Sequence, residues 1–331
     1  MKNNVLIIGG AGYIGSTVAR VLEKKFNIYI LDNLATGNKK LVKKKYSFFK
    51  FNCGDKIKLK KLIDNENISI IVHLAASLSV EDSKKNKKYY YKNNFINTKN
   101  IIDICNNSSN IKKIIFSSTC AVYGSPQKQL KKINEKLLRK PISYYGYTKK
   151  LCEDYIIKKC NKKYVILRYF NVVGSEPEKT CGLVDKKSKQ LFSNLNRSIL
   201  FKTKQINIYG KNYNTKDGTC VRDYIHVSDI ARIHLKAIRY LGNKKSIIVN
   251  CGYNKGFSVN EIIDKYEEIF KLKFKRVIKK PREGDPAYVV CDNSKLVKNF
   301  NWKPKYNNLE NMIVSSYQWY KKFLINKNYF N

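Results

Sequence analysis

Histidine, acidic residues and closely paired cysteines are all scarce in this chain of 331 residues. The three histidines stand at 73, 226 and 234. None forms a metal-ligand pair with a cysteine at a useful spacing, so no metal site is expected. His73 ends an apolar run and His226 lies in a strand-like stretch, so both read as structural. The nine cysteines, at 53, 105, 120, 152, 160, 181, 220, 251 and 291, are odd in number and include no Cys-x-x-Cys. That argues against a disulfide framework and for a reducing compartment, expected to be the cytoplasm. Long apolar runs are missing near the start. Val5–Ile8 breaks at glycine and is too short for a signal peptide or a membrane span. Negative charge is also short: 25 Asp and Glu stand against 66 Lys and Arg, a formal charge of +41. Such a balance suits nucleic acid or an anionic membrane. The lysines, however, are spread over the whole length, as in Lys43-Lys44-Lys45, Lys158-Lys159 and Lys244-Lys245. No segment concentrates them on a reading element, so they read as solvated faces, and neither a specific nucleic acid nor a membrane is expected as partner. The charge retains one general use, attraction of small anions.

Hydrophobic residues make up 43% of the chain, enough for a real core. The length suits one large domain with a smaller lobe. Short β-rich runs alternate with helical patterns: strands are predicted at Val5–Ile8, Ile28–Leu31, Ser47–Phe51, Ile68–Leu74, Ile111–Phe116 and Tyr164–Leu167. Helices are predicted from the first glycines to about Lys24, over Tyr89–Cys105 and over Tyr144–Cys160. This order predicts an α/β fold with a doubly wound parallel sheet of the Rossmann type. After about residue 170 the rhythm changes. Helices are predicted at Ser228–Tyr240 and Ser258–Phe270, each with its serine as N-cap, and a strand at Ile247–Cys251. This half is expected to form a smaller α/β lobe, with some segments returning to the main sheet.

The loop Gly9-Gly10-Ala11-Gly12-Tyr13-Ile14-Gly15 follows the first strand and opens a helix. Gly9 suits a tight turn, Gly12 the close approach of backbone to a pyrophosphate, and Gly15 close helix packing. A helix N-terminus then faces the phosphate charge. Asp32 ends the second strand, where a carboxylate accepts hydrogen bonds from an adenosine ribose and disfavours a 2′-phosphate. The bland alternative, a turn residue in Asp-Asn, loses weight once the loop is considered. The expected cofactor is NAD, on residues 1–172, with residues 173–331 mainly for substrate.

Tyr145 and Lys149 lie four apart at the start of a predicted helix and share a face. A free phenol titrates near 10 and is a poor base at neutral pH. A neighbouring ammonium is expected to lower that value, so the pair could exchange a proton with an alcohol while a hydride moves. Tyr-x-x-x-Lys alone is weak evidence among 24 tyrosines. Its position behind a strand ending in Ser117-Ser118-Thr119 strengthens it.

These motifs, with LDNL at 31–34, VHLAA at 72–76, FSSTCAVYG at 116–124, YGYTK at 145–149, LRYFNVVG at 167–174, DGTCVRDYIHVSDIA at 217–231 and REGDPA at 282–287, resemble the extended short-chain dehydrogenase/reductase family. The resemblance spans nearly the whole chain and is greatest to the family's UDP-glucose 4-epimerases. It implies an isomerase that uses bound NAD on a UDP-hexose, and a homodimer. Tyr145 would take the proton of the sugar 4-hydroxyl, the hydride at C4 would pass to NAD, and the 4-keto sugar would turn over and take it back on its other face. Lys149 would hold the nicotinamide ribose and tune Tyr145, while Thr119 would hydrogen-bond the 4-oxygen. The resemblance implies cofactor contacts at Gly9, Gly12, Tyr13, Ile14, Gly15, Asp32, Asn33, Asn52, Cys53, Leu74, Ala75, Ala76, Asn93, Lys149 and Phe170. It implies nucleotide-sugar contacts at Thr119, Tyr145, Asn171, Gln190, Leu191, Tyr209, Arg222, Tyr224, Arg282, Asp285 and Val289. The two arginines suit a diphosphate and Asp285 a ribose hydroxyl.

Four positions depart from the family's common pattern. Asn52 stands for a usual Asp, Gln190 for Asn or His, and Leu78 for a lysine whose loss is expected to loosen cofactor retention. Val289 stands where some members have a bulky tyrosine, so an N-acetyl group could fit. Dehydratases and decarboxylases of the family carry an acidic residue just after the Ser/Thr. Here Cys120-Ala121-Val122 follows, which favours reversible oxidation alone. Remaining alternatives are an epimerase for UDP-GlcNAc/GalNAc or a UDP-pentose, and a catalytically silent NAD- or nucleic-acid-binding protein. The intact Thr119, Tyr145 and Lys149 argue against silence.

Overall fold

The computed structural model describes residues 2–125, 132–185 and 188–325. The first half lays down strands β1 (Asn4–Ile8), β2 (Asn27–Leu31), β3 (Ser47–Phe49), β4 (Ile68–His73), β5 (Lys113–Thr119) and β6 (Lys163–Tyr169). Between them run helices α1 (Tyr13–Leu22), α2 (Lys56–Asn65), α3 (Val80–Lys85), α4 (Lys87–Tyr90), α5 (Asn97–Asn107) and α6 (Tyr144–Lys159). The second half adds β7 (Asn171–Val173), α7 (Leu191–Leu200), β8 (Gln205–Tyr209), β9 (Val221–His226), α8 (Val227–Tyr240) and β10 (Ile247–Cys251). It ends with β11 (Gly256–Ser258), α9 (Val259–Phe270), β12 (Lys275–Lys279), β13 (Tyr288–Val289), α10 (Ser294–Phe300) and α11 (Leu309–Ile325).

Seven strands form one sheet in the order β10-β6-β5-β4-β1-β2-β3, and every pairing in it is parallel. Outward from β1 the order runs through β2 to β3 on one side and through β4 to β6 on the other, the doubly wound arrangement expected from the alternation. Strand side chains alternate between faces, and both faces are apolar. Val5 and Ile7 join one buried cluster with Val18 and Leu22 of α1 and Ile230 and Ile233 of α8. Leu6 and Ile8 join the other, with Leu59 of α2, Ile101 of α5 and Ile156 of α6. β10, from the second half of the chain, pairs with β6.

The other strands form smaller sheets: β9 pairs with β11, β13 and β7, and β12 with β8. A third core packs Phe192 and Leu195 of α7 against Ile262 and Tyr266 of α9 and Met312 of α11.

Three local expectations change. The helix expected over Tyr89–Cys105 is interrupted by a π-helical stretch at Tyr91–Ile96. There the buried Asn94 turns inward and donates to the Ser77 carbonyl and the Thr148 hydroxyl, so one widened turn places a polar side chain between the segment after β4 and α6. The fifth strand begins at Lys113 rather than Ile111 and takes in Ser117-Ser118-Thr119. The N-cap of α8 is His226, whose imidazole accepts the Ser228 N–H, whereas Ser258 caps α9 in a reciprocal capping box with Glu261, as expected.

Candidate active site

β1 ends at Ile8, and Gly9 turns the chain with φ at 85°. α1 begins after Gly12, and no side chain caps it, so no capping oxygen takes the N–H groups at its start. The Asp32 carboxylate accepts the Ala11 N–H at 3.0 Å and the Leu34 N–H at 2.8 Å, bracing the loop from the end of β2. Burial raises its pKa, and those two bonds oppose the rise. On the other side the N–H groups of Leu74 and Ala75 both donate to the Ile8 carbonyl, at 2.8 and 3.0 Å. The half-buried Leu74, Ala75 and Ala76 therefore line the glycine turn.

Other expected cofactor residues gather around this crossing of strand ends. Tyr13 donates its hydroxyl to the Gly174 carbonyl at 2.5 Å, and Ile14 packs on the upper core. Asn33 accepts the Ala35 N–H, and Asn52 accepts N–H groups from Gly54 and Asn97. Cys53 packs on the opposite face, where burial pushes its thiol up to about 12. Asn93 donates to the Ser77 hydroxyl at 3.0 Å. Phe170 is buried with Val122, Tyr123 and Val289. Leu78 projects into solvent at 63% exposure.

The Ser143 hydroxyl caps α6 by accepting the Gly146 N–H at 3.0 Å, and Ser83 accepts the Tyr145 N–H at 3.1 Å. Tyr145 is thereby fixed in the first turn, facing the end of β5. Four residues on, Lys149 is buried, donates to the Ser117 carbonyl at 2.7 Å and sits 4.6 Å from the centre of the Phe116 ring. Burial lowers its pKa to about 8, and the neighbouring Cys152 and Glu153 oppose the drop. Thr119 ends β5 and accepts the Ala121 N–H at 3.1 Å. Tyr145 departs from the expectation. Burial drives its hydroxyl well above the ordinary phenol range, and a hydrogen bond with Thr119 only partly offsets this. In the free chain Tyr145 therefore keeps its proton, because desolvation of a phenolate outweighs the neighbouring charges.

Of the nucleotide-sugar positions, Asn171, Arg222, Tyr224 and Val289 lie on the sheet of β7, β9, β11 and β13, and Tyr209 ends β8 of the separate β8–β12 pair. β13 pairs with β9 so that Val289 lies opposite Arg222. The Arg222 guanidinium is ion-paired with Asp285 and also donates to the Val221 carbonyl at 2.7 Å. Arg282 stacks 4.2 Å from the centre of the Tyr209 ring. Tyr224 is buried 5.3 Å from Phe192 of α7, and Asn171 lies beside it in the β7–β9 register. Gln190 is the N-cap of α7 and Leu191 its first residue. Asp285 is thus engaged with Arg222, rather than standing free for a hydroxyl. The contact joins residues 63 apart in the chain, so no local motif announces it.

Sequence reasoning named Ser117 at the strand end but not that its carbonyl takes the Lys149 ammonium, and it missed the buried Glu153 behind it. An acidic residue on the same helical stripe as Tyr145 and Lys149 was the available signal. The histidines fit their structural reading. Burial depresses His73 to about 3 and both His226 and His234 to about 4.

Residues 5–252 match the profile of the NAD dependent epimerase/dehydratase family. The chain belongs to that family. Its relatives include a UDP-glucose 4-epimerase of Lactobacillus helveticus, 34% identical over 96% of this chain and 97% of that protein. The solved UDP-glucose 4-epimerase of Brucella ovis, in complex with NAD, is 31% identical with a TM-score of 0.90, over 96% of this chain and 98% of that one. A UDP-Glc/GlcNAc 4-epimerase of Campylobacter jejuni is 38% identical with a TM-score of 0.83, over 97% and 99%. This NAD-dependent epimerase carries a cradle that fits its cofactor. A Cβ on Gly12 would meet only the Gly9 carbonyl, at 3.3 Å, so the space in front of that backbone is open. Among the described residues no cluster of His, Cys, Asp and Glu suits a metal, and no helix is long and apolar enough to cross a membrane.

Proposed function

We propose that this epimerase interconverts UDP-glucose and UDP-galactose by transient oxidation at the sugar C4. The carrying observation is the meeting of Tyr145 with the Thr119 hydroxyl at the end of β5, with Lys149 one helical turn behind. The following Cys120-Ala121-Val122 turn brings no carboxylate for elimination. Thr119 holds the sugar 4-oxygen by its hydroxyl, and Tyr145 takes the proton of that oxygen and returns it. Bound NAD supplies the hydride acceptor and donor at C4 and a positive charge near the phenol. Lys149 would hold the nicotinamide ribose, its ammonium kept in place by the Ser117 carbonyl. Gly9, Gly12 and the α1 N-terminus would hold the pyrophosphate, and Asp32 would hold the adenosine ribose. Arg222 and Arg282 take the substrate diphosphate, so substrate entry loosens the Arg222–Asp285 pair and frees Asp285 for the uridine ribose.

On this reading residues 1–172 form the NAD-binding part and residues 173–331 mainly the nucleotide-sugar part. The protein works as a homodimer in the cytoplasm. Nine free cysteines suit a reducing compartment, and Tyr147 and Ile157 expose apolar surface on α6 for a second copy. Purified protein incubated with UDP-galactose, without added NAD, is expected to yield UDP-glucose on separation of the products. Unchanged UDP-galactose, with NAD shown to be bound, would defeat the assignment.

A wider substrate range has one specific support. Val289, buried beside Phe170 and Val122, leaves more room than the tyrosine some members carry. The Campylobacter jejuni relative, named for both Glc and GlcNAc substrates, is compatible with this. Turnover of UDP-GalNAc to UDP-GlcNAc is expected, and Val289→Tyr is expected to remove it while sparing UDP-galactose. Absence of N-acetyl turnover in the unaltered protein would sink the idea.

A further inference from the structure

Glu153 is a carboxylate with no exposed surface, and the chemistry above does not use it. A buried charge survives only when donors surround it. Its Oε1 accepts the Ser118 hydroxyl at 2.5 Å and Arg168 Nε at 2.9 Å. Its Oε2 accepts Arg168 Nη2 at 2.6 Å and Arg139 Nη1 at 3.0 Å. The donors come from β5, β6 and the segment ahead of α6. Arg168 extends the network by donating to the Tyr123 hydroxyl, which donates to Asn250 of β10, each at 2.7 Å. Arg139 also pairs with Asp154 at 2.6 Å.

Tyr145, Lys149 and Glu153 occupy one stripe of α6 at four-residue intervals. Lys149 grips Ser117 and Glu153 grips Ser118, successive residues of the strand that ends in Thr119. Two contacts at different heights fix both the rotation and the axial position of a helix against a strand; one contact leaves a pivot. We propose that Glu153 is a positioning residue, locking α6 against β5 so that Tyr145 meets Thr119 and Lys149 remains an ammonium. The proposal rests on the active-site reading given above.

The charge argument follows from who faces Lys149. Cys152 and Glu153 lie on its own helix, His73 faces it from β4, and the Phe116 ring and Ser117 carbonyl face it from β5. His73 is neutral near pH 7, since burial and Lys149 hold it at about 3. The supporting negative charge therefore includes that of Glu153, which opposes the burial that brings Lys149 down to about 8. Removing it lowers the lysine further, and the ammonium is lost at a lower pH.

Three variants separate reach from charge. Ser118→Ala removes one donor and no charge, Glu153→Asp keeps the charge but shortens the reach, and Glu153→Gln removes the charge. Expected with UDP-galactose are kcat losses on the order of 10-fold for Ser118→Ala and 100-fold for Glu153→Gln, with KM little changed. The alkaline limb of the kcat profile moves to lower pH in Glu153→Gln and stays in place in Glu153→Asp. A purely structural role would lower activity without moving that limb. The titration of Lys149, read by NMR on ¹³C-lysine protein and assigned with Lys149→Met, is expected near 8 in the parent and lower in Glu153→Gln. If Glu153→Gln fails to fold, Ser118→Ala still decides the positioning claim. Parental kcat in Ser118→Ala, or an unmoved lysine titration in folded Glu153→Gln, overturns the proposal. An inactive parent protein would defeat the functional reading instead, and the lysine titration would still test the charge claim.

Discussion

Tyr145→Phe is expected to lower the turnover of UDP-galactose by about 10²–10⁴-fold, the range for removing a positioned acid–base group. The substitution deletes one oxygen from a buried ring and leaves its volume. Bound cofactor and melting temperature should therefore change little. The size of the loss follows from how the phenol is held. Burial makes its proton hard to remove, and only the Thr119 hydrogen bond works against that in the free chain. A group held this way does not ionise idly; it transfers its proton only when the reacting oxygen and a positive charge arrive together. Ser143 and Ser83 pin α6 at its first turn and so hold the phenol in place. The check is kcat under saturating substrate with the NAD content of each protein measured. Full activity in the variant would remove Tyr145 from the chemistry.

The second large effect separates two glycines of one loop. A Cβ on Gly15 would lie 2.2 Å from the Gly9 carbonyl oxygen and 2.8 Å from the Gly10 Cα. Neither neighbour is a flexible side-chain end, so α1 must move away from the strand. Alanine gains about 1 kcal/mol of helix propensity over glycine, but overpacking of about 1–3 kcal/mol or more outweighs it. Gly15→Ala is therefore expected to lose NAD binding and to melt on the order of 5 °C lower. A Cβ on Gly12 meets little of the protein but fills the space where a pyrophosphate would lie. Gly12→Ala is expected to melt like the parent apoprotein while binding NAD at least about 100-fold more weakly, a loss of roughly 3 kcal/mol. Calorimetric titration of NAD and thermal melts of both apoproteins check the pair. Tight NAD binding by Gly12→Ala would show that the loop is not the pyrophosphate cradle.

The main sheet was legible because its strands are buried on both faces. Runs such as Val5–Ile8 and Ile68–His73 are nearly continuous apolar stretches, and their boundaries were read to within a few residues. The second half was harder for a physical reason. β9 reads Val-Arg-Asp-Tyr-Ile-His, and its charged residues are held by distant partners: Asp223 by the N–H groups of Tyr253, Asn254 and Cys291. That buried acid is pushed up to about 7, and although the stretch around His226 read as strand-like, the local pattern names none of the partners that hold its charges. α7 and α11 were likewise unassigned, because their apolar faces make sense only against each other and α9. The first-half site was legible as a set of residues, whereas its ionisation was not. The spacing of Tyr145 and Lys149 places both on one face, but only burial shows that desolvation dominates the phenol. The Arg222–Asp285 pair shows the same limit, since each side chain could be named from its motif and neither could be seen to occupy the other.

The central claim is that one hydride leaves C4 of the sugar and returns to the same carbon within a turnover. It is tested most directly with UDP-galactose carrying deuterium at C4, incubated with the purified protein and no added NAD, with the UDP-glucose product analysed by NMR and mass spectrometry. Retention of the deuterium at C4 is the expected result, because NAD carries it and Tyr145 handles only the hydroxyl proton. Product carrying solvent hydrogen at C4 would contradict transient oxidation with internal return.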